Sequence, residues 1–283
     1  MAAATELRPN LALVPTRSVR FHEDPERRRT LRLMDRIKAE ALLRNPPIVA
    51  DMGDGHYLLL DGANRVSAFA ELGYSHTPVQ VADYGHESIQ LKSWHHLILN
   101  GRALDLRKIY AALDGVELRQ VPPEQLDQLL TFRRVYAVWV DATTACWGLF
   151  PKSDGPIDVH QRNGVLHKIV KGYEGQSQLE RIKLADYTKL SDAIRSVDHQ
   201  LVLFPVLTKE ELLRLAAEGV MIPTGISRHL IPGRALMINL ALGFLTELMD
   251  DAAKLAHFTA YVNRLEMEGR IRFYEESVFI MNE

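Results

Sequence analysis

The spacing of apolar residues changes period several times along the chain, and each change marks an element. Leu31, Met34, Ile37, Ala41 and Leu42 recur at helical intervals, predicting a helix from about Arg27 to Leu43. Pro47-Ile48-Val49-Ala50 and the run from His56 to Leu60 then read as strands joined by a Gly53-Asp54-Gly55 turn. Val66, Phe69, Ala70 and Leu72 return to helical spacing and stop at Gly73, and Thr77 to Val81 reads as the next strand. A further helix is expected from His86 to Leu99. Beyond a change of character near Asn100 to Gly115, short elements alternate. Val116 to Val121 and Arg134 to Val140 predict strands around a helix at Pro123 to Leu130, and Gln200 to Phe204 predicts another strand. The helix from Thr208 to Gly219 opens on a capping box, Thr208 with Glu211. Ala235 to Leu242 reads as a strand, Leu245 to Met267 as a long helix, and Arg270 to Phe279 as one or two strands. The fold class expected is mixed α/β (α+β) in two domains, 1–105 and 106–283.

One junction carries chemistry. The strand Tyr57 to Leu60 turns through Asp61-Gly62-Ala63-Asn64-Arg65 into a helix. Such a turn leaves backbone N–H groups converging on one spot at the positive end of the helix dipole, and Arg65 adds a forked donor. That suits a phosphate. The alternative is a tight turn with a surface arginine.

Length and composition narrow the function. The chain has 283 residues, enough for two domains, and 47% of them are hydrophobic, ordinary for a globular protein. A net charge of −2 gives no general case for nucleic-acid binding. The local arginine cluster Arg17, Arg20, Arg27, Arg28, Arg29, Arg32 and Arg36 reads first as a solvated helix face. Met1 to Glu6 lacks the features of a signal peptide, no apolar run is long enough to span a membrane, and the single cysteine, Cys146, has no internal disulfide partner. The expected location is cytoplasmic.

Three more clusters hold candidate side chains. In Phe21-His22-Glu23-Asp24-Pro25-Glu26, Asp24 reads as a helix cap with Pro25 and Glu26 in the first turn. His22 and Glu23 are left outside the helix, and a carboxylate there can serve as a general base. Ser93-Trp94-His95-His96 is either core or pocket, and adjacent histidines on one helix argue against a shared metal. Ile222 to Arg234 (I-P-T-G-I-S-R-H-L-I-P-G-R) is broken by proline and glycine yet lies between apolar segments. Its two guanidinium groups and several hydroxyl and backbone donors suit a carboxylate or a phosphate, and the alternative is a polar surface loop.

Residues 15 to 100 resemble the N-terminal domain of the ParB/sulfiredoxin superfamily, whose D-G-x-x-R turn receives nucleotide phosphates. H-E-x-P-E-R before the first helix, the D-G-x-x-R turn, W-H-H, and P-T-G-I-S-R-H-L-I-P-G-R-A-L together resemble the free L-serine kinase family, over residues 15 to 100 and 200 to 242. That family includes archaeal nucleotide-dependent serine kinases and a bacterial branch associated with siderophore biosynthesis. The resemblance implies a kinase that phosphorylates the hydroxyl of free L-serine with ATP or ADP and Mg2+. It implies an active site in the cleft between a ParB/sulfiredoxin-like N-terminal domain and the second domain. Glu23 would be the base. Asp61, Gly62, Ala63, Asn64 and Arg65 would bind nucleotide phosphates, with Asp61 also beside the magnesium. Trp94, His95, Thr224, Gly225, Ser227, Arg228, His229 and Arg234 would form the substrate pocket. Asn64 stands where many superfamily members carry histidine, and Ala63 where a sulfiredoxin would carry its cysteine. No glycine-rich loop of the P-loop or protein-kinase type is present. The rival class is a ParB-like nucleotide-binding regulatory or DNA-binding protein, which would want a basic recognition helix after the nucleotide domain. None is seen between Gly101 and Gln200.

Overall fold

The computed structural model describes residues 9–153, 155–184, 187, 190–194, 196–247 and 249–273. The chain divides into two compact units, but not at residue 105. The first comprises 1–20, 25–89 and 231–283, and the second comprises 21–24 and 90–230. The expected boundary fails for two reasons. The stretch 90–99 forms strands that pair with partners late in the chain, and residues 231 onward return to the first unit. The loop 222–234, expected to belong wholly to the second domain, is therefore shared between the units.

The first unit is built on a five-stranded sheet in the order Leu11–Pro15, His76–Val81, Ile48–Asp51, Tyr57–Asp61, Val19–Arg20. The helices Arg27–Glu40 and Ala63–Glu71 fall where the periodicity places them. Leu13, Ile37, Leu43, Phe69, Leu242, Phe244 and Phe258 form one core cluster, with the helix Asp251–Met267 supplying Phe258. The long helix expected from Leu245 is instead a short turn, Gly243–Thr246, followed by a separate helix that Asp250 caps through Ala253 N–H. The strand expected over Ala235 to Leu242 shrinks to Leu240–Ala241, paired with Leu42–Leu43. Of the terminal strands expected over Arg270 to Phe279, residues 270–273 carry no strand, and the rest lie outside the described residues.

The second unit holds a six-stranded sheet in the order Gln178–Ile182, His95–Leu99, Gln200–Leu203, Ala137–Val140, Cys146–Pro151, Val116–Val121. Every pairing described within it is antiparallel. The helix expected from His86 to Leu99 is two strands, Gln90–Ser93 and His95–Leu99. His95 to Ile98 are all buried, and a fully buried strand shows no alternation, so its apolar run resembles a helix segment. The capping box at Thr208 and Glu211 is present, with both reciprocal bonds made at the start of Lys209–Ala217. Among the described residues, no helix is long and apolar enough to cross a membrane.

Candidate active site

Two clusters of candidate side chains form, one in each unit. In the second unit the chain segment carrying Glu23 runs beside Ile222 in a parallel bridge, and Ile222 N–H donates to His22 O at 2.8 Å. This brings Glu23 to the loop 222–227. Gly225 N–H donates to Glu23 Oε2 at 2.8 Å; Ser227 N–H at 2.9 Å and the Ser227 hydroxyl at 2.5 Å donate to Oε1. Oε1 thus takes two donors and Oε2 takes one. Thr224 is tied to the same segment, its hydroxyl donating to Asp24 O at 3.4 Å. Asp24 is not the helix cap: the helix starts at Arg27 behind Glu26, with no side-chain cap.

Gly225 is the keystone of this cradle. Its φ of +79° lies in the region that disfavours a side chain, and a Cβ there would stand 2.5 Å from Arg181 Cζ. Its carbonyl meets His96 Nε2 at 2.9 Å, while His96 Nδ1 meets the Tyr173 hydroxyl at 2.7 Å. Because a carbonyl can only accept, Nε2 carries the proton and Tyr173 donates to Nδ1. Gly225→Ala should cost about 1–3 kcal/mol of stability through backbone strain. Thermal melts against wild type check this, and an unchanged midpoint would show that the loop absorbs the side chain.

Trp94 N–H donates to Ile226 O at 3.1 Å, which fastens its ring beside the loop. Arg228 lies over the ring with Cζ 4.7 Å from the centroid, and Lys183 Nζ is 5.7 Å away. The strand Ser227–Leu230 pairs with Gln90–Ser93, setting Arg228 opposite Lys92. His229 packs edge-on to His22 with centroids 5.3 Å apart, and His22 Nε2 is 2.9 Å from Ser227 Oγ.

His95 does not join this cluster. It is buried, takes Phe204 N–H on Nδ1 at 3.2 Å and packs against Tyr187. On a strand, neighbouring side chains point to opposite faces, so His96 reaches the loop and His95 the core. This corrects its expected place in the substrate pocket. Burial first, and then the neighbouring His96 charge, push the pKa of His95 down to about 4, and burial brings His96 to about 4 as well. Both fold as neutral rings and gain protons more readily when unfolded. Their stability contribution is therefore present above pH 6.5 and lost as pH falls toward 4. Melting temperature should drop through that window, and His96→Phe should flatten the slope; a parallel slope in that variant would remove His96 from the acid response.

The first unit carries the D-G-x-x-R turn. Gly62, at φ +100°, precedes the helix, whose backbone bonds begin with Arg65 N–H to Gly62 O at 2.9 Å. The amides of Ala63 and Asn64 therefore fall in the first turn, where helix geometry supplies no acceptor. The side chains are more occupied than the motif implies. Arg65 Nη1 donates to Asn45 O at 2.8 Å and to Pro46 O at 3.2 Å, and Nη2 donates to Asp61 Oδ2 at 2.8 Å. Asn64 Oδ1 accepts from Glu26 N–H at 2.8 Å and from the Thr30 hydroxyl at 3.2 Å, tying down the start of the Arg27 helix. Gln80 holds the returning chain through Gly233 O and Ala235 N–H, and this places Arg234 against Asp61 Oδ2. Arg234 therefore joins the D-G-x-x-R turn rather than the substrate loop to which it was expected to belong.

Asp61 suits magnesium only in a limited way. Both guanidinium contacts fall on Oδ2, and among the described residues no group of three or more His, Cys, Asp or Glu side chains could cage a metal. One carboxylate fits an ion held mainly by nucleotide phosphates and water. Burial raises the Cys146 thiol to about 11, which rules it out as a nucleophile near neutral pH.

Sequence reasoning missed His96, Tyr173, Arg181 and Lys183. The W-H-H motif pointed to the first of these; the other three lie in a stretch without motifs.

No family model matches the chain. It is 26% identical over 281 residues to the ATP-dependent L-serine kinase SbnI of Staphylococcus aureus, covering 97% of this chain and 98% of that protein. An ATP-dependent L-serine kinase of Staphylothermus marinus is 26% identical over 220 residues, 75% of this chain and 81% of its own. Among solved structures, C-terminally truncated SbnI from Staphylococcus aureus matches with a TM-score of 0.73 at 23% identity, over 90% of this chain and 96% of that one. A free serine kinase mutant in complex with AMP matches with a TM-score of 0.67 at 16% identity, over 84% and 95%. The chain is thus similar in sequence to ATP-dependent L-serine kinases, to SbnI over nearly its whole length, and similar in fold to solved free serine kinases.

Proposed function

We propose that this protein transfers the γ-phosphoryl group of ATP to the hydroxyl of free L-serine, giving O-phospho-L-serine and ADP. The observation that carries the reading is the Glu23 cradle: a carboxylate fixed by Gly225 and Ser227, beside an indole and an arginine. Phosphoryl transfer demands chiefly positioning and charge neutralisation, plus one group to take the hydroxyl proton. Glu23 is that group. Its Oε2, with a single donor, keeps a lone pair for the serine proton, and the three donors hold the carboxylate against rotation.

Donor phosphates fall to the first unit, at the Ala63 and Asn64 amides with Arg234, while Arg65 shapes the turn from behind. Magnesium would be held by Asp61 together with the nucleotide's own phosphates. It would neutralise charge on the transferring group. Trp94, Thr224, Arg228 and His229 surround the acceptor's place next to Glu23.

ATP is the donor named for the curated relatives. Incubating the protein with magnesium, ATP or ADP in turn, and a panel of free amino acids, followed by mass analysis, tests both substrates at once. O-phosphoserine formed from ATP is the expected product. Phosphorylation of another hydroxyl amino acid in preference, or none at all, would overturn the assignment.

A further inference from the structure

The strand Gln178–Ile182 lies in the stretch that no motif explains, yet its register directs it at the Glu23 cradle. Arg181 pairs with His96 across the ladder, and directly opposed residues share a face of the sheet. His96 reaches Gly225 O from that face, and the Arg181 guanidinium lies flat against Gly225: a Cβ on the glycine would be 2.5 Å from Cζ and 2.7 Å from Nη2. Two residues on, Lys183 sits over the Trp94 ring that Arg228 also covers. Three cations thus surround one indole and one glycine, beside a single cradled carboxylate. Among the described residues, no ion pair joins Arg181, Lys183 or Arg228 to an acid. Arg181 and Lys183 are exposed, so they stabilise no core.

An exposed cluster of like charge repels itself and is disfavoured without an anion to bind. Under the kinase reading, the acceptor is an amino acid with its hydroxyl at Glu23, and its remaining anion is the α-carboxylate. We propose that Arg181 and Lys183, together with Arg228, hold that carboxylate. The inference rests on the proposed function. It assigns specificity for a free amino acid, against a hydroxyl compound lacking the carboxylate, to the end of a strand and the residue after it, which nothing else singles out. Arg181 supplies a planar fork suited to two carboxylate oxygens, and Lys183 a point charge at the rim.

The test compares L-serine with L-serinamide, which keeps hydroxyl and amine but lacks the carboxylate, using calorimetry on the full chain. Wild type should bind serine at least tenfold more tightly than serinamide. In an Arg181→Ala/Lys183→Ala double variant, the Kd for serine should rise at least tenfold while that for serinamide stays nearly constant, so the preference collapses. An equal loss for both ligands would mean a structural role, and unchanged serine binding would mean no role; either overturns the proposal. Arg181→Gln alone, judged by the same ratio, covers the case of a double variant that folds poorly. Wild-type protein that shows the binding preference but yields no O-phosphoserine would sink the kinase reading and leave this inference standing.

Discussion

Glu23→Gln should give a folded protein that still binds nucleotide but turns over about 100-fold or more slowly, the range general-base removal produces. The amide keeps the shape of the carboxylate and part of its acceptor capacity. It cannot take a proton from a serine hydroxyl at neutral pH. One of its two ends is now an NH2 facing either Gly225 N–H or the Ser227 donors, so the loop must also adjust. Those two effects separate experimentally. Loss of the base lowers the maximal rate, whereas a shifted loop raises the Michaelis constant for serine. Steady-state kinetics showing a wild-type maximal rate would remove Glu23 from the chemistry. Nucleotide affinity, measured by calorimetry, serves as the internal control, because the Asp61, Arg65 and Arg234 contacts do not include Glu23.

Arg65→Ala should weaken nucleotide binding and lower stability together. The motif alone assigns this side chain to phosphate, but its described bonds go to Asn45 O, Pro46 O and Asp61 Oδ2. It is the strut that fixes the 45–46 turn beneath the Gly62 turn. Removing a charged donor from a partly buried site costs on the order of 1.5–3 kcal/mol. That figure should appear as a lower melting temperature. Nucleotide affinity should fall with it, as the Ala63 and Asn64 amides lose their frame. Arg234→Ala, more exposed, should reduce nucleotide affinity and leave the melting temperature nearly unchanged. If Arg65→Ala weakened nucleotide binding with no change in stability, the arginine would touch phosphate directly, as the motif implies.

What was legible in the sequence was local. Thr208 and Glu211 are three residues apart and cap a helix by contacts within one turn, so the pattern predicts the structure. The strand, glycine turn and helix at Asp61 to Glu71 are likewise fixed by neighbours in sequence. Glu23 stands out in the sequence because the helix after it leaves it without structural duty. Most of the errors came from distant partners. Asp24-Pro25-Glu26 has the composition of a cap, yet the segment 21–24 is drawn to Ile222 and Thr224, and the helix begins later. His95 to Leu99 reads as helix because both faces of the strand are covered, one of its neighbours arriving from residue 200. Asn64 and Arg65 carry the right motif but spend their side chains on Glu26, Thr30, Asn45 and Pro46, none of which the motif names. Arg181 has no local signature at all; only the strand register reveals it.

The link from Glu23 to Gly225 and Ser227 spans 202 and 204 positions of chain, and this bears on how the protein is made. A growing polypeptide presents Glu23 202 and 204 residues ahead of its two backbone donors. Closing so long a loop costs only about 0.6 kcal/mol more for each doubling of length, so the delay is a matter of time rather than of energy. At about 5–20 residues per second, the carboxylate waits on the order of ten seconds or more for its cradle. Any nascent chain stopped short of residue 227 carries the acid without its holder. Conversely, a fragment spanning only 90–230 contains the holder without the acid. Supplying such a fragment with a short peptide containing Phe-His-Glu-Asp would ask whether the ribosome's order of delivery is dispensable.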